Sequence, residues 1–315
     1  RTPRRPGRAG RGPVTGESPR EAARRAEEEE LRRLQDAFRG IGDMPWERIE
    51  TRLDLVKEAL KASLRNLEPE QRFAIVDAVA GGQRPACDIE LDTTAFAEDG
   101  RKIGIGSSAA ATVALVAALC NLTDVLDEAV AEHRRLQGDG GSGVDVGSAV
   151  HGGLIEYRRP ERTVRPLPWP QGLHIRVIWT GVAASTRAQI ERLAGAARKA
   201  SRSALLLAAP RMRDAWLSGD ADRILSGYTS YIDVLRQFSV DHDLGIFDAG
   251  HDELTDAAMV DGLVYKPAGA GGGDTGVLFG RDDAALDAFL ARRSRLIHGV
   301  LSCELAADGV RLEPA

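Results

Sequence analysis

The chain has 315 residues, which favours two domains, and 43% of them are hydrophobic, an ordinary share for globular cores. A formal net charge of -5 gives no reason to expect nucleic acid as a partner. Cys87, Cys120 and Cys303 lie far apart with no CxxC pair, which speaks against a zinc site or a disulfide framework and fits a reducing cytoplasm.

Residues 1–17 are rich in Arg, Gly and Pro and carry too little apolar surface to offset the entropy of ordering, so a disordered tail is expected. Ser18-Pro19-Arg20-Glu21 reads as a capping box, opening a highly charged, solvated helix to about Phe38. Ile49, Leu53, Val56, Leu60, Leu64 and Leu67 recur every three or four residues and predict an amphipathic helix over 47–67. A further helical piece runs from Phe73 to Val79 and ends at Gly81-Gly82. Cys87, Ile89 and Leu91 alternate with acids, as in a half-buried strand.

Ser107 to about Leu122 is apolar nearly all round and predicts a central, buried helix. A polar helix follows to about Gln137, where Glu132, His133 and Asp139 are expected at a solvated helix end. Leu154–Tyr157 predicts a short strand, and the proline-rich stretch 160–172 a domain crossover. Leu173–Trp179 alternates as a strand, 186–238 is mostly helical, and Leu254–Met259 is another helical piece. Strands are expected at Leu263–Tyr265, Gly276–Phe279 and Gly309–Leu312, with a helix from Asp283 to about Arg295. No apolar run reaches the ~18 residues of a membrane span, and no signal peptide is visible. A cytoplasmic protein without a membrane partner is expected.

Three small-residue turns carry the chemistry. Lys266-Pro-Ala-Gly-Ala-Gly-Gly-Gly-Asp-Thr-Gly276 has four glycines in five positions, and its bare N–H groups could cradle a polyanion. Taken alone it also reads as a flexible loop. Gly104-Ile-Gly-Ser-Ser-Ala-Ala110 opens directly into an apolar helix, whose first N–H groups favour phosphate. A plain serine N-cap accounts for that segment equally well. Gly141-Ser-Gly-Val-Asp145-Val sets one carboxylate in an open turn, fit to act as base or orienting anion in phosphoryl transfer, or else to cap a helix over 146–150. Asp241, His242 and Asp243 with His251, Asp252 and Glu253 form a dense acidic and imidazole cluster, but no helical ligand pair emerges, so a solvated loop is expected over a metal site.

In this order and spacing, the three turns resemble the GHMP kinases. Gly104–Ala110 is similar to that family's second motif, Lys266–Gly273 to its third, and Gly141–Val146 to the segment bearing its catalytic aspartate. The resemblance covers about residue 70 to the end. It implies an α+β, two-domain fold: a charged tail over 1–45, a nucleotide-binding domain similar to ribosomal protein S5 domain 2 over 46–168, and a ferredoxin-like domain over 169–315. It implies ATP on Gly104, Ile105, Gly106, Ser107, Ser108 and Ala109, Mg²⁺ on Ser108, and Asp145 at the acceptor oxygen. Ser142, Gly143, Ser185, Thr186, Lys266, Gly269, Ala270, Gly271, Gly272, Gly273 and Asp274 are implied on the substrate side.

His133 with Gln137-Gly138, Trp179-Thr-Gly181, Ala184-Ser-Thr186 and Asp274 point, within the family, to a phosphorylated small-molecule acceptor. The implied reaction converts 5-phosphomevalonate to 5-diphosphomevalonate in isoprenoid synthesis. Mevalonate as acceptor, or a non-catalytic homologue that binds nucleotide or a protein partner, are the other readings. The family's opening strand carries Pro-Gly-Lys, then an apolar run and Gly-Glu. This chain has Pro6-Gly7-Arg8 and Gly16-Glu17 separated by Arg- and Gly-rich sequence, so slow turnover is expected beside intact phosphate-binding turns.

Overall fold

The computed structural model describes residues 91–98, 101–120, 125–137, 141–159, 161–195, 199–302 and 305–311. The expectations for the tail, the helices over 18–38, 47–67 and 73–79, most of the strand at 87–91, and Asp139 fall outside them. The described residues all belong to one compact unit.

A short hairpin of β1 (Ala97–Glu98) and β2 (Arg101–Lys102) leads through buried Ile103 into α1 (Ser107–Cys120). In α1, Ala109, Ala111, Val113, Leu115, Val116 and Ala117 are buried. Its alanines leave room for close approach, and α2 (Val125–Leu136) and α3 (Val144–His151) both pack on it. The end of α2 is not solvated as expected. Glu132 and His133 lie on its inner face with Ala129 and Val130, and Glu132 is paired with Arg135.

The strand predicted at 154–157 is β3 (Leu154–Arg158). It pairs antiparallel with β4 (Thr163–Leu167), from Leu154 opposite Leu167 to Arg158 opposite Thr163. The supposed crossover at 160–172 is therefore partly a strand. Pro166 sits in β4 opposite Ile155, tolerated because this two-stranded sheet is all edge and a missing N–H can face outward.

The second half is built on a four-stranded antiparallel sheet of order β6-β7-β5-β8: β5 (His174–Trp179), β6 (Val264–Pro267), β7 (Thr275–Gly280) and β8 (Gly299–Leu301). Between β5 and β6 run α4 (Thr186–Gly195), α5 (Ala200–Ser218), α6 (Ala221–Asp241) and α7 (His251–Val260). Between β7 and β8 runs α8 (Asp283–Arg292). Helices before and after a central hairpin, with the last strand beside the first, make the sheet ferredoxin-like.

Alternation along β7 divides the core. Phe279 joins Leu173, Ile224, Ile232 and Phe238 on one face, and Leu278 joins Ile178, Leu254, Tyr265, Leu286 and Phe289 on the other. Gly219 in the left-handed conformation ends α5, and the Asp220 carboxylate accepts from Asp222 N (2.9 Å) and Arg223 N (3.2 Å) to start α6.

The closing strand is misplaced in the sequence reading. Gly299–Leu301 forms the edge strand, and 309–311 form none. Instead Val310 N donates to Ala149 O (3.0 Å) and Gly153 N to Ala306 O (2.6 Å), which ties the last described segment to the end of α3. Among the described residues no helix is long and apolar enough to cross a membrane.

Candidate active site

Three turns of the chain meet around a cleft of about 490 Å³. The first is the start of α1. Ala110 N donates to Gly106 O (3.0 Å), so the cap position falls on Gly106, not on a serine. This overturns the serine N-cap reading. A glycine cap has no side chain with which to satisfy the first N–H groups of the helix, and the dipole adds positive potential there. Gly104, at φ 86°, packs so closely on Asp274 that a Cβ would overlap its carboxyl group. Ser107 and Ser108 are half-buried in the first turn, and the Ala109 methyl is in the core.

The Ser108 hydroxyl does not cap either. It lies 3.1 Å from His133 Nε2, which is also 3.4 Å from the Gln137 amide nitrogen. Burial lowers the His133 pKa, Asp145 opposes that, and Lys102 adds to it. The ring is therefore neutral near pH 7 and holds the hydroxyl by an uncharged hydrogen bond.

The second turn carries Asp145. Gly143, at φ 83°, is the N-cap of α3, and Ser142 Oγ accepts from Val144 N (3.2 Å). Asp145 is thus inside the first turn and does not cap a helix over 146–150. A Cβ on Gly106 would lie 3.8 Å from Asp145 Cβ, so the two helix starts are in near contact across the cleft. Gly143 itself packs on the Tyr157 hydroxyl, where a Cβ would come within 2.6 Å.

The third turn joins β6 to β7, and part of its backbone is tied down. Gly271 N donates to Ala268 O (3.1 Å), Gly272 N to Ile246 O (2.8 Å) and Asp274 N to Val182 O (2.6 Å). Gln189 Nε2 donates to Gly271 O (3.1 Å), and His251 Nε2 lies 3.0 Å from Gly273 O. With these N–H groups already engaged, the turn acts as a floor. The Asp274 carboxylate accepts from Ala184 N (3.2 Å), which draws the 180–186 segment onto the cleft.

Of the residues singled out in the sequence, Gly104, Ile105, Gly106, Asp145, Thr186, Gly269, Ala270, Gly271 and Asp274 line this cleft, joined by Ala110, Ser148, Ala149, Ala184, Ala268 and Thr275. Ser185 instead caps α4, its hydroxyl accepting from Ala188 N (3.3 Å). Gly272 and Gly273 back onto Gln189 and Val182. Lys266 lies outside the lining: its ammonium donates to Pro267 O (2.5 Å), and burial brings its pKa down to about 8. No Lys or Arg occurs in the described lining, and the helix N-termini there favour an anion.

Among the described residues, the 241–253 cluster included, no three His, Cys, Asp or Glu side chains gather as ligands of one ion would. The cluster's His251 is fully buried and bonded to protein on both nitrogens. Sequence reading missed that role because the neighbouring acids mask the residue as surface. The signal was its place at the start of the apolar-faced helix before the glycine turn.

No family model matches the chain. Solved structures of similar fold include a Lin0012 protein from Listeria innocua (TM-score 0.65, 20% identity, 79% of this chain and 80% of that one). Another is Streptococcus pneumoniae phosphomevalonate kinase in complex with phosphomevalonate and AMPPNP (TM-score 0.58, 18% identity, 78% of this chain and 80% of that one). The fold is that of the GHMP kinases, a class of phosphotransferases. A sequence relative narrows this further: phosphomevalonate kinase of Streptomyces sp. (strain CL190) is 32% identical over 268 residues, 73% of this chain and 71% of the relative. The chain belongs to the phosphomevalonate kinase family.

Proposed function

We propose that the chain transfers the γ-phosphoryl group of ATP to 5-phosphomevalonate, giving 5-diphosphomevalonate and ADP, in the cytoplasm. One observation carries the reading: the glycine-capped start of α1, the Asp145 carboxylate and the glycine floor line a single cleft. In the proposed step an oxygen of the acceptor phosphate attacks Pγ, and the bond from Pγ to the β,γ-bridging oxygen breaks. The start of α1, over Gly104–Ala109, holds the nucleotide phosphates. Asp145 takes or orients any proton on the attacking oxygen. A phosphate monoester has a second pKa of about 6, so near neutral pH most of the acceptor carries no proton there, and the proton-taking role falls on its monoanionic fraction.

On the acceptor side, Thr186 and the floor at Gly269–Gly271 face the cleft, with Ser142, Gly143, Ser185, Gly272 and Gly273 shaping the turns behind it. Asp274 fixes the 180–186 segment. Lys266, bonded to Pro267 O at the end of β6, stands outside the lining. Mg²⁺ suits this site, because Ser108 offers an oxygen donor at the helix start and hard cations take oxygen ligands. Ser108 would hold the ion, which neutralises charge on the β- and γ-phosphates when bound. The test is ADP release with 5-phosphomevalonate and with mevalonate, each supplied separately. Turnover on the phosphorylated acceptor supports the reading, and preference for mevalonate overturns the substrate.

A further inference from the structure

Behind the glycine floor lies a buried polar chain that the phosphoryl-transfer reading does not use. His251 and Tyr265 are both fully buried. His251 Nδ1 lies 2.8 Å from the Tyr265 hydroxyl, and its Nε2 lies 3.0 Å from Gly273 O. A carbonyl can only accept, so Nε2 carries the proton. In the neutral ring Nδ1 then accepts from the Tyr265 hydroxyl. Burial lowers the His251 pKa, against the opposing bond to Gly273, which keeps the ring neutral and its tautomer fixed.

The next residue needs such support. Asp274 is not glycine, yet it sits at φ 53°. A side-chain-bearing residue stays in that region only when its surroundings over-determine it. From the front, Asp274 is held by Val182 O, by Thr180 N and Thr180 Oγ1 on its carbonyl (2.9 and 3.0 Å), and by Ala184 N on its carboxylate. From behind, the hold on the turn at Gly273 is His251.

We infer that His251 is a positioning residue for the acceptor side of the cleft, linking Tyr265 to the Gly273 carbonyl and so fixing the turn that bears Asp274. The inference rests on the proposed kinase reading for its functional meaning, and on geometry alone for the link itself.

Two substitutions separate positioning from packing. In His251→Gln the carboxamide reaches the Nε2 position and can still donate to Gly273. In His251→Asn it reaches only the Nδ1 position and leaves Gly273 O without its donor. Both remove the ring and disturb the core alike. Leaving a buried carbonyl unsatisfied costs roughly fivefold or more in an equilibrium it controls. Asn is therefore expected to raise KM for the phosphorylated acceptor by about that factor, with a smaller change in KM for ATP, while Gln stays close to the native protein.

Amide exchange at Asp274 reads the same link without turnover and should be faster in Asn than in Gln. Equal effects of Asn and Gln on acceptor KM and on exchange would overturn the inference and leave His251 a packing residue. If the native protein turned over no acceptor, the kinase reading would fall, and the exchange difference would still decide the link. Should either variant not fold, Tyr265→Phe removes only the partner of Nδ1. Faster exchange at Asp274 is then expected, and unchanged exchange refutes the chain.

Discussion

In the proposed reaction Asp145 stands at the acceptor oxygen. It is not a cap, because Gly143 holds that position. Asp145→Asn therefore keeps the helix start and loses only a favourable charge near a dipole, about 0.3–1 kcal/mol. If Asp145 orients or deprotonates the acceptor, the same change lowers kcat by roughly 10²–10⁴-fold, with nucleotide affinity nearly unchanged. Steady-state kinetics beside a nucleotide titration checks this. A kcat above about a tenth of native would remove Asp145 from the reacting centre.

Ser108→Ala takes away a hydroxyl that bonds His133 rather than its own helix. The expected outcome is a higher Mg²⁺ requirement with little change in melting temperature. The opposite pattern, an unchanged Mg²⁺ curve and a lower melting temperature, would make the hydroxyl structural. Gly104→Ala should be worse on both counts. It places a Cβ in the Asp274 carboxyl group at a φ that costs about 1–2 kcal/mol for any L-residue. Thermal unfolding and activity should fall together, and retained native values would contradict the packing of Gly104 on Asp274.

At the scale of elements, the sequence was legible where periodicity and glycine punctuation agree. The buried α1, the β3 strand and the β6–turn–β7 unit follow from apolar runs bounded by small residues. Four strands escaped: β1 and β2, of two residues each, and β4 and β8. β4 contains Pro166, which reads as a breaker unless the strand is known to lie at an edge. β8 is three residues long, too short for alternation to register. The buried face of α2 escaped as well, because Glu132 and His133 look like solvent residues until α1 and α3 are placed over them.

Strand β6 carries its own prediction. With Lys266 down to about 8 in the fold against its ordinary 10.5, the unfolded chain binds more protons between those pH values. Stability contributed by this residue therefore rises as pH increases from 8 towards 10.5. The buried charge costs on the order of 3 kcal/mol below that window. Burial raises the pKa of Tyr228 to about 12, so its contribution to stability falls with pH only once the unfolded tyrosine ionises. Denaturant melts at pH 7 and 9.5 should show Lys266→Met more stable than native at the lower pH, with the gap narrowing at the higher. A pH-independent difference would show that the amine is not desolvated.

For the whole molecule, the start of α1 and the β6–β7 turn come from segments more than 150 residues apart in sequence, as Gly104 and Asp274 show, with the start of α3 between them. No local pattern predicts that they meet; the ferredoxin-like order of the sheet and the packing of α3 on α1 bring them together. Family resemblance supplied the expectation, and the geometry supplies the reasons: glycine caps at both helix starts, and a floor tied down at Gly271, Gly272 and Asp274. The central claim is the acceptor. The most direct measurement is ADP release by the full chain with ATP and Mg²⁺, using 5-phosphomevalonate and mevalonate in parallel. The predicted result is faster turnover on 5-phosphomevalonate; equal or faster turnover on mevalonate would contradict it.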